Sequence, residues 1–165
     1  MIADHLKERP VVAALFERHS PAIVDGELER GETTLFVDPS QIVAVCSFLR
    51  QEQQFNRISG ITAVDWYPVD PRFEVVYLLH SLPQGERLRL KCRLSEEAPV
   101  IDSVTGVWRA ADWYEREVFD LFGIHFRNHP NLTRIMMPDS WEGHPLRRDY
   151  PVHGHKYDYS GDENR

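Results

Sequence analysis

Residues 112–129 bring together Asp112, Glu115, Arg116, Glu117, Asp120, His125 and His129, a dense set of groups able to handle protons or a metal. Two carboxylates flanking one bond are the apparatus of acid–base hydrolysis, and carboxylates with histidines are the apparatus of metal binding. Spacing argues against the first. Glu115 and Glu117 stand two residues apart, so on a helix they point to nearly opposite sides. Glu117 and Asp120 share a face and, with His125 or His129, could hold a metal for a hydrolase. The two-histidine helical spacing of such sites is missing, however, and both histidines follow Gly123, where the helix should stop. The favoured reading is structural: acids and an arginine forming salt bridges at a junction. Asp112, Arg116 and Asp120 fall at i, i+4 and i+8, so one arginine can bridge two acids.

Other reactive groups are sparse. Cys46 and Cys92 are the two cysteines, in no C-x-x-C spacing. They cannot supply the four thiolates of an iron–sulfur cluster, and they suit a reducing compartment. His153 and His155 lie in loose polar sequence and read as an incidental pair rather than as ligands.

The helix that positions the charged set should run from Ala110 to Phe122. Ala111, Tyr114, Val118, Leu121 and Phe122 form its packing face, and Gly123 takes the left-handed cap that a Cβ resists. Ahead of it, residues 4–19 suggest a helix, although Pro10 makes its start uncertain. Ala22–Glu29 and Thr33–Val37 read as strands about the turn Arg30-Gly31. Asp38-Pro39-Ser40-Gln41 is a helix start in which Asp38 can cap and Gln41 can reach back, with Ile42, Val45, Cys46 and Leu49 buried after it. Three strands follow, Arg57–Tyr67, Phe73–His80 and Glu86–Leu94. The last alternates Leu88, Leu90, Cys92 and Leu94 inward with Arg87, Arg89, Lys91 and Arg93 outward. That basic row could meet an anion or a partner; pairing with acids on neighbouring strands, such as Glu74, is the preferred reading.

The element order α-β-β-α-β-β-β-α, with two helices covering one face of about five strands, predicts an α+β two-layer sandwich on a mixed sheet. A 165-residue chain with 42% hydrophobic and 27% charged residues has material for one core. Its net charge of -7 argues against nucleic acid as a partner. The N-terminus shows no signal-peptide core, and no apolar run approaches the length of a membrane span.

Residues 1–124 are thus expected to form the α/β domain and residues 125–165 an extended tail that binds a partner. Pro138, Pro145 and Pro151 forbid a continuous helix there. Met136, Met137, Trp141, Leu146 and Tyr150 are too sparse for a core of their own, yet suit anchoring on another chain. Arg147 and Arg148 could meet partner carboxylates. On this reading other protein chains order the tail, with fraying over residues 154–165.

Glu115-Arg116-Glu117-Val118-Phe119-Asp120-Leu121-Phe122-Gly123-Ile124, followed by Phe126, His129-Pro130, Leu132, Arg134-Ile135 and Pro138, resembles a known family signature. The family is the small α/β peripheral-arm subunit, or C-subunit, of proton-pumping NADH:quinone oxidoreductase, respiratory complex I. Pro145-Leu146-Arg147-Arg148-Asp149-Tyr150-Pro151 resembles the tail of that family, and the likeness is sharpest over Trp108–Pro151. Related subunits of membrane-bound hydrogenases and F420-linked dehydrogenases share much of the pattern. The resemblance implies a small peripheral subunit at the cytoplasmic face of the cell membrane, packed against the large subunit that helps form the quinone chamber. It implies that FMN, iron–sulfur clusters and quinone belong to partner subunits, with no cofactor, metal or catalytic residue here. Glu115, Arg116, Glu117, Asp120, Gly123, His129, Pro130, Arg134, Trp141, Arg147, Arg148, Asp149 and Tyr150 would then be signature and interface residues.

Overall fold

A computed structural model describes Leu6 and residues 8–151. Helix α1 is Pro10–His19, so Pro10 sits at the first helical position, where its missing N–H costs nothing. The earlier start expected at residue 4, together with His153 and His155, lies outside the described residues. Strands β1 (Ile23–Glu29) and β2 (Glu32–Val37) meet at Arg30 and Gly31, both with positive φ, as a tight hairpin requires. A 3₁₀ turn, Pro39–Gln41, leads into α2 (Ile42–Gln51). Asp38 caps the turn by accepting the Ser40 N–H at 2.8 Å and the Ser40 hydroxyl at 2.6 Å, while its own N–H goes to the Ala22 carbonyl at 2.9 Å, so the reach-back expected of Gln41 is not made. Then come β3 (Arg57–Asp65), β4 (Phe73–Ser81) and β5 (Glu86–Leu94).

These five strands form one sheet in the order β1-β2-β5-β4-β3. Only β2–β5 is parallel, so the sheet is mixed, as expected. Val12 and Leu15 of α1 and Ile42, Val45 and Leu49 of α2 join Leu35, Val75, Tyr77, Leu90 and Cys92 in a single core. This is the two-layer α+β sandwich.

A second, two-stranded sheet was not expected. Val100–Asp102 (β6) and His125–Arg127 (β7) pair in parallel on either side of α3 (Ala111–Phe122). Each strand is only three residues long, too short for a visible alternation. The boundary expected at residue 124 is therefore crossed by packing, because Ile124 and Phe126 belong to the core. Gly123 ends α3 with φ 74° and its N–H bonded to the Phe119 carbonyl at 2.9 Å.

A Cβ at Gly123 would stand 2.6 Å from the His144 ring and 2.7 Å from the Arg147 guanidinium. Gly123→Ala should cost about 1–3 kcal/mol by combining left-handed strain with this clash. Thermal unfolding reads the loss, and limited proteolysis should show new cleavage between residues 134 and 150.

Candidate functional site

A helix leaves its last carbonyls without intrahelical donors. In α3 the following chain supplies them. The His144 ring donates from Nδ1 to the Asp120 carbonyl at 2.9 Å, the Leu146 N–H to the Leu121 carbonyl at 3.0 Å, and Arg147 Nε to the Phe122 carbonyl at 2.6 Å. Residues 128–150 form no helix or strand, so their own backbone groups must also find partners outside the segment.

Two carboxylates act as those partners. Asp120 is fully buried. Its Oδ2 accepts the N–H groups of Ile135, Met136 and Met137 at 2.9, 2.7 and 2.8 Å, while Oδ1 takes Arg134 Nη1 at 2.6 Å. Burial alone would raise its pKa, but these four donors reverse the sign and hold the carboxyl below its ordinary value. The second is Asp65, at the end of β3. Arg72 binds it through two nitrogens, at 2.9 and 2.8 Å, and the Arg148 N–H reaches it at 2.8 Å. Burial again pushes upward, and hydrogen bonds from Arg72, Arg148 and Tyr67 prevail, bringing Asp65 down to about 2. Arg72 is 1% exposed and also binds Asp149 at 2.6 and 3.0 Å and Glu96 at 2.6 Å. It lies over the rings of Tyr67 and Phe73, and Arg147 lies over Phe73.

The salt-bridge stripe expected from the spacing of Asp112, Arg116 and Asp120 does not form. Arg116 bridges neither Asp112 nor Asp120; it donates to the carbonyls of Thr133 and Arg134 at 3.1 and 3.2 Å and covers Trp113. Asp120 is already filled by the segment it holds, which also removes it as a metal ligand beside the exposed Glu117. The ordering expected from partner chains is supplied, for residues 128–150, by the domain itself. Arg147 turns inward, as described; Arg148 is exposed, with its N–H on Asp65 and its Nη1 donating to the Tyr67 carbonyl at 3.5 Å. Trp141 and Tyr150 stack with centroids 6.5 Å apart, and Pro130 is exposed. Arg72, Asp65 and Glu96 went unremarked in the sequence. Their one signal was an acid and an arginine at the ends of two apolar strands.

Glu115 differs from Asp120. It is fully buried and bonds Ser103 Oγ at 2.6 Å and the Val104 N–H at 2.7 Å. Burial dominates these two donors and lifts its pKa to about 7. His129 Nε2 lies 3.9 Å from it, closer to the Asp112 carbonyl at 3.3 Å, while its Nδ1 accepts the Asn131 N–H at 3.0 Å. The tautomer that satisfies both contacts carries its proton on Nε2.

Residues 35–156 match the family described as "Respiratory-chain NADH dehydrogenase, 30 Kd subunit". The NADH-quinone oxidoreductase C-subunit of Geotalea uraniireducens is 47% identical over 93% of both chains. The chain belongs to this family. Membership makes it a component of an NADH-quinone oxidoreductase, and the matched region contains both carboxylate clamps. A Rhizobium etli relative of the same name, numbered 2, is 47% identical over 87% of this chain and 78% of its own. A solved trypsin-resistant fragment (1-134) of Nqo5 superposes with a TM-score of 0.65 at 31% identity, over 73% of this chain and 97% of that fragment. A chain of an archaeal membrane-bound sulfane sulfur reductase reaches a TM-score of 0.73 at 28% identity, over 88% of this chain and 86% of that one.

Asp120→Ala strands three half-buried N–H groups and Arg134, so it should cost about 3–5 kcal/mol and expose residues 134–150 to protease. Glu115 predicts a pH effect of opposite sign. Its folded pKa is raised above the unfolded 4.5, so the stability it adds is complete below pH 4.5 and is lost as pH rises through about 7. The loss is about 3 kcal/mol at 1.36 kcal/mol per pKa unit. Glu115→Gln should flatten that slope and leave the protein more stable than its parent at pH 8, as denaturant titrations at pH 5 and pH 8 would show.

Proposed function

We propose that the chain is a non-redox structural and assembly subunit of the hydrophilic arm of proton-translocating NADH:quinone oxidoreductase, packed against the large subunit of the quinone chamber. Electrons pass from NADH through FMN and iron–sulfur clusters in other subunits to quinone, and this chain holds its neighbours in register. The observation that carries the reading is the division of labour in residues 128–150. Arg134, Asp149 and the N–H groups of Ile135, Met136, Met137 and Arg148 turn to Asp120, Asp65 and Arg72, while Met136 and Leu146 stay 61% and 52% exposed. Large apolar side chains fixed outward on a rigid support are what an interface needs. Cys46 and Cys92 are buried, and burial pushes both thiols up, which favours small core side chains over cluster ligands. Among the described residues no helix is long and apolar enough to cross a membrane. On this proposal the chain attaches peripherally, at the cytoplasmic face, through its partners.

A second reading, the equivalent subunit of a related membrane-bound complex such as a hydrogenase or F420-linked dehydrogenase, draws support from the likeness to the sulfane sulfur reductase chain. Purification of the intact assembly discriminates, since a flavin-bearing NADH-oxidising subunit accompanies the chain only in the first case. A metal-dependent hydrolase built on Glu117 and Asp120 is disfavoured by the filled oxygens of Asp120.

Met136→Asp with Leu146→Asp should reduce the chain's recovery in the assembled complex several-fold and leave its own melting temperature nearly unchanged. Parental recovery of the double variant would sink the interface assignment.

A further inference from the structure

On the outer face of the sheet, opposite the core, charge is matched almost throughout. Arg89 pairs with Glu32 at 2.5 Å, Lys91 with Glu27 and Glu74 at 3.5 and 3.6 Å, and Arg93 with Glu74 at 2.6 Å. One end breaks the pattern. Arg57, His80 and Arg87 stand directly opposite one another on β3, β4 and β5. Among the described residues no ion pair reaches any of the three. Opposite charges in adjacent strands stabilise a sheet, and this row offers none: the guanidinium groups of Arg57 and Arg87 flank the His80 imidazole.

The row borders a groove of about 420 Å³, lined also by Ser59, Leu78 and Arg89, with Glu32 at one edge. Leu78 faces Gly60 across the strands and is 37% exposed, because glycine gives it no side chain to pack on. The groove thus joins a line of cationic and imidazole groups, spanning two strand spacings or roughly 10 Å, to an apolar floor. A free oxyanion would use the first and gain nothing from the second. An extended peptide uses both, since its alternate side chains point to one side at roughly 7 Å intervals.

We propose that this groove binds an extended acidic segment of a partner subunit, with carboxylates on Arg57 and Arg87, hydrogen bonding to His80, and an apolar side chain on Leu78. The choice of a partner subunit as the source rests on the assembly role proposed above; the chemistry of the groove does not. With a net charge of -7, the chain offers a locally reversed field here that steers an acidic segment to one place.

The test uses the full chain with poly-L-glutamate as probe, inorganic phosphate as a second arm, and the assembled complex as a third. Arg57→Glu with Arg87→Glu, both exposed and outside the core, should weaken poly-L-glutamate binding at least tenfold while circular dichroism and melting stay parental. Exposed Arg50→Glu serves as the charge control and should change binding by less than twofold. In the complex, the double variant should dissociate at lower salt than the parent. Equal poly-L-glutamate binding by parent and double variant overturns the site. Phosphate binding as tight as that of the peptide overturns the assignment to a segment. A parent that joins the complex alongside a double variant of equal salt resistance overturns the groove as an interface and leaves the assembly role standing. A parent that never joins the complex removes that role, and peptide binding then judges the groove alone.

Discussion

A stretch of chain without regular structure can be held in one place only if something outside it accepts its backbone N–H groups. Here that something is a pair of carboxylates. Asp120 gathers three consecutive N–H groups and an arginine, and Asp65 gathers Arg72 and the N–H of Arg148. The arrangement is reciprocal, because the same stretch returns donors to the open carbonyls of α3. Helix end and irregular segment complete each other. Gly123 is what lets them approach, since any Cβ there would occupy the space of His144 and Arg147.

Glu115 and Asp120 show how environment divides two acids on one helix. Both are fully buried, and both would be pushed toward neutrality by burial alone. Four donors, one of them a guanidinium, keep Asp120 charged. Two uncharged donors do not suffice for Glu115, whose pKa burial lifts to about 7. The first is an electrostatic anchor for the segment ahead; the second behaves as a polar core residue tying the Ser103–Val104 loop to α3. Their different chemistry comes from the count and charge of the donors.

The two-layer α+β fold was legible because its signals are periodic. The alternation in β5, the helical spacing of Ile42, Val45, Cys46 and Leu49, and the glycine after Phe122 all declare themselves over several residues. What escaped was non-periodic. β6 and β7 are three residues each, and their pairing depends on what lies across space rather than along the chain. Asp65, Arg72 and Asp149 meet across 77 positions, from Arg72 to Asp149, which no local window registers. The Asp112–Arg116–Asp120 stripe was a fair inference from helical spacing, but local ion pairs on a helix are worth only about 0.2–0.5 kcal/mol. Three backbone donors and Arg134 outcompete that for Asp120, and Arg116 is left to take the carbonyls of Thr133 and Arg134. The extended segment was recognised as an anchor-bearing stretch, while its attachment to its own domain was hidden in those long-range pairs.

Why hold the segment with buried charge when apolar packing of equal volume would be no less stabilising? Apolar contact is nearly indifferent to a slip of one residue. A carboxylate facing three successive N–H groups is not, because a slip breaks several charge-assisted bonds at once and leaves a buried charge unpaired. Directional bonds at Asp120 and at Asp65 therefore fix the register of residues 134–150 at two points, and the positions of Met136 and Leu146 follow from it. Stability could have come from many arrangements. A surface that must present particular side chains at particular places to a neighbour needs this kind, and the two clamps provide it with groups that face inward and leave the outward side chains free.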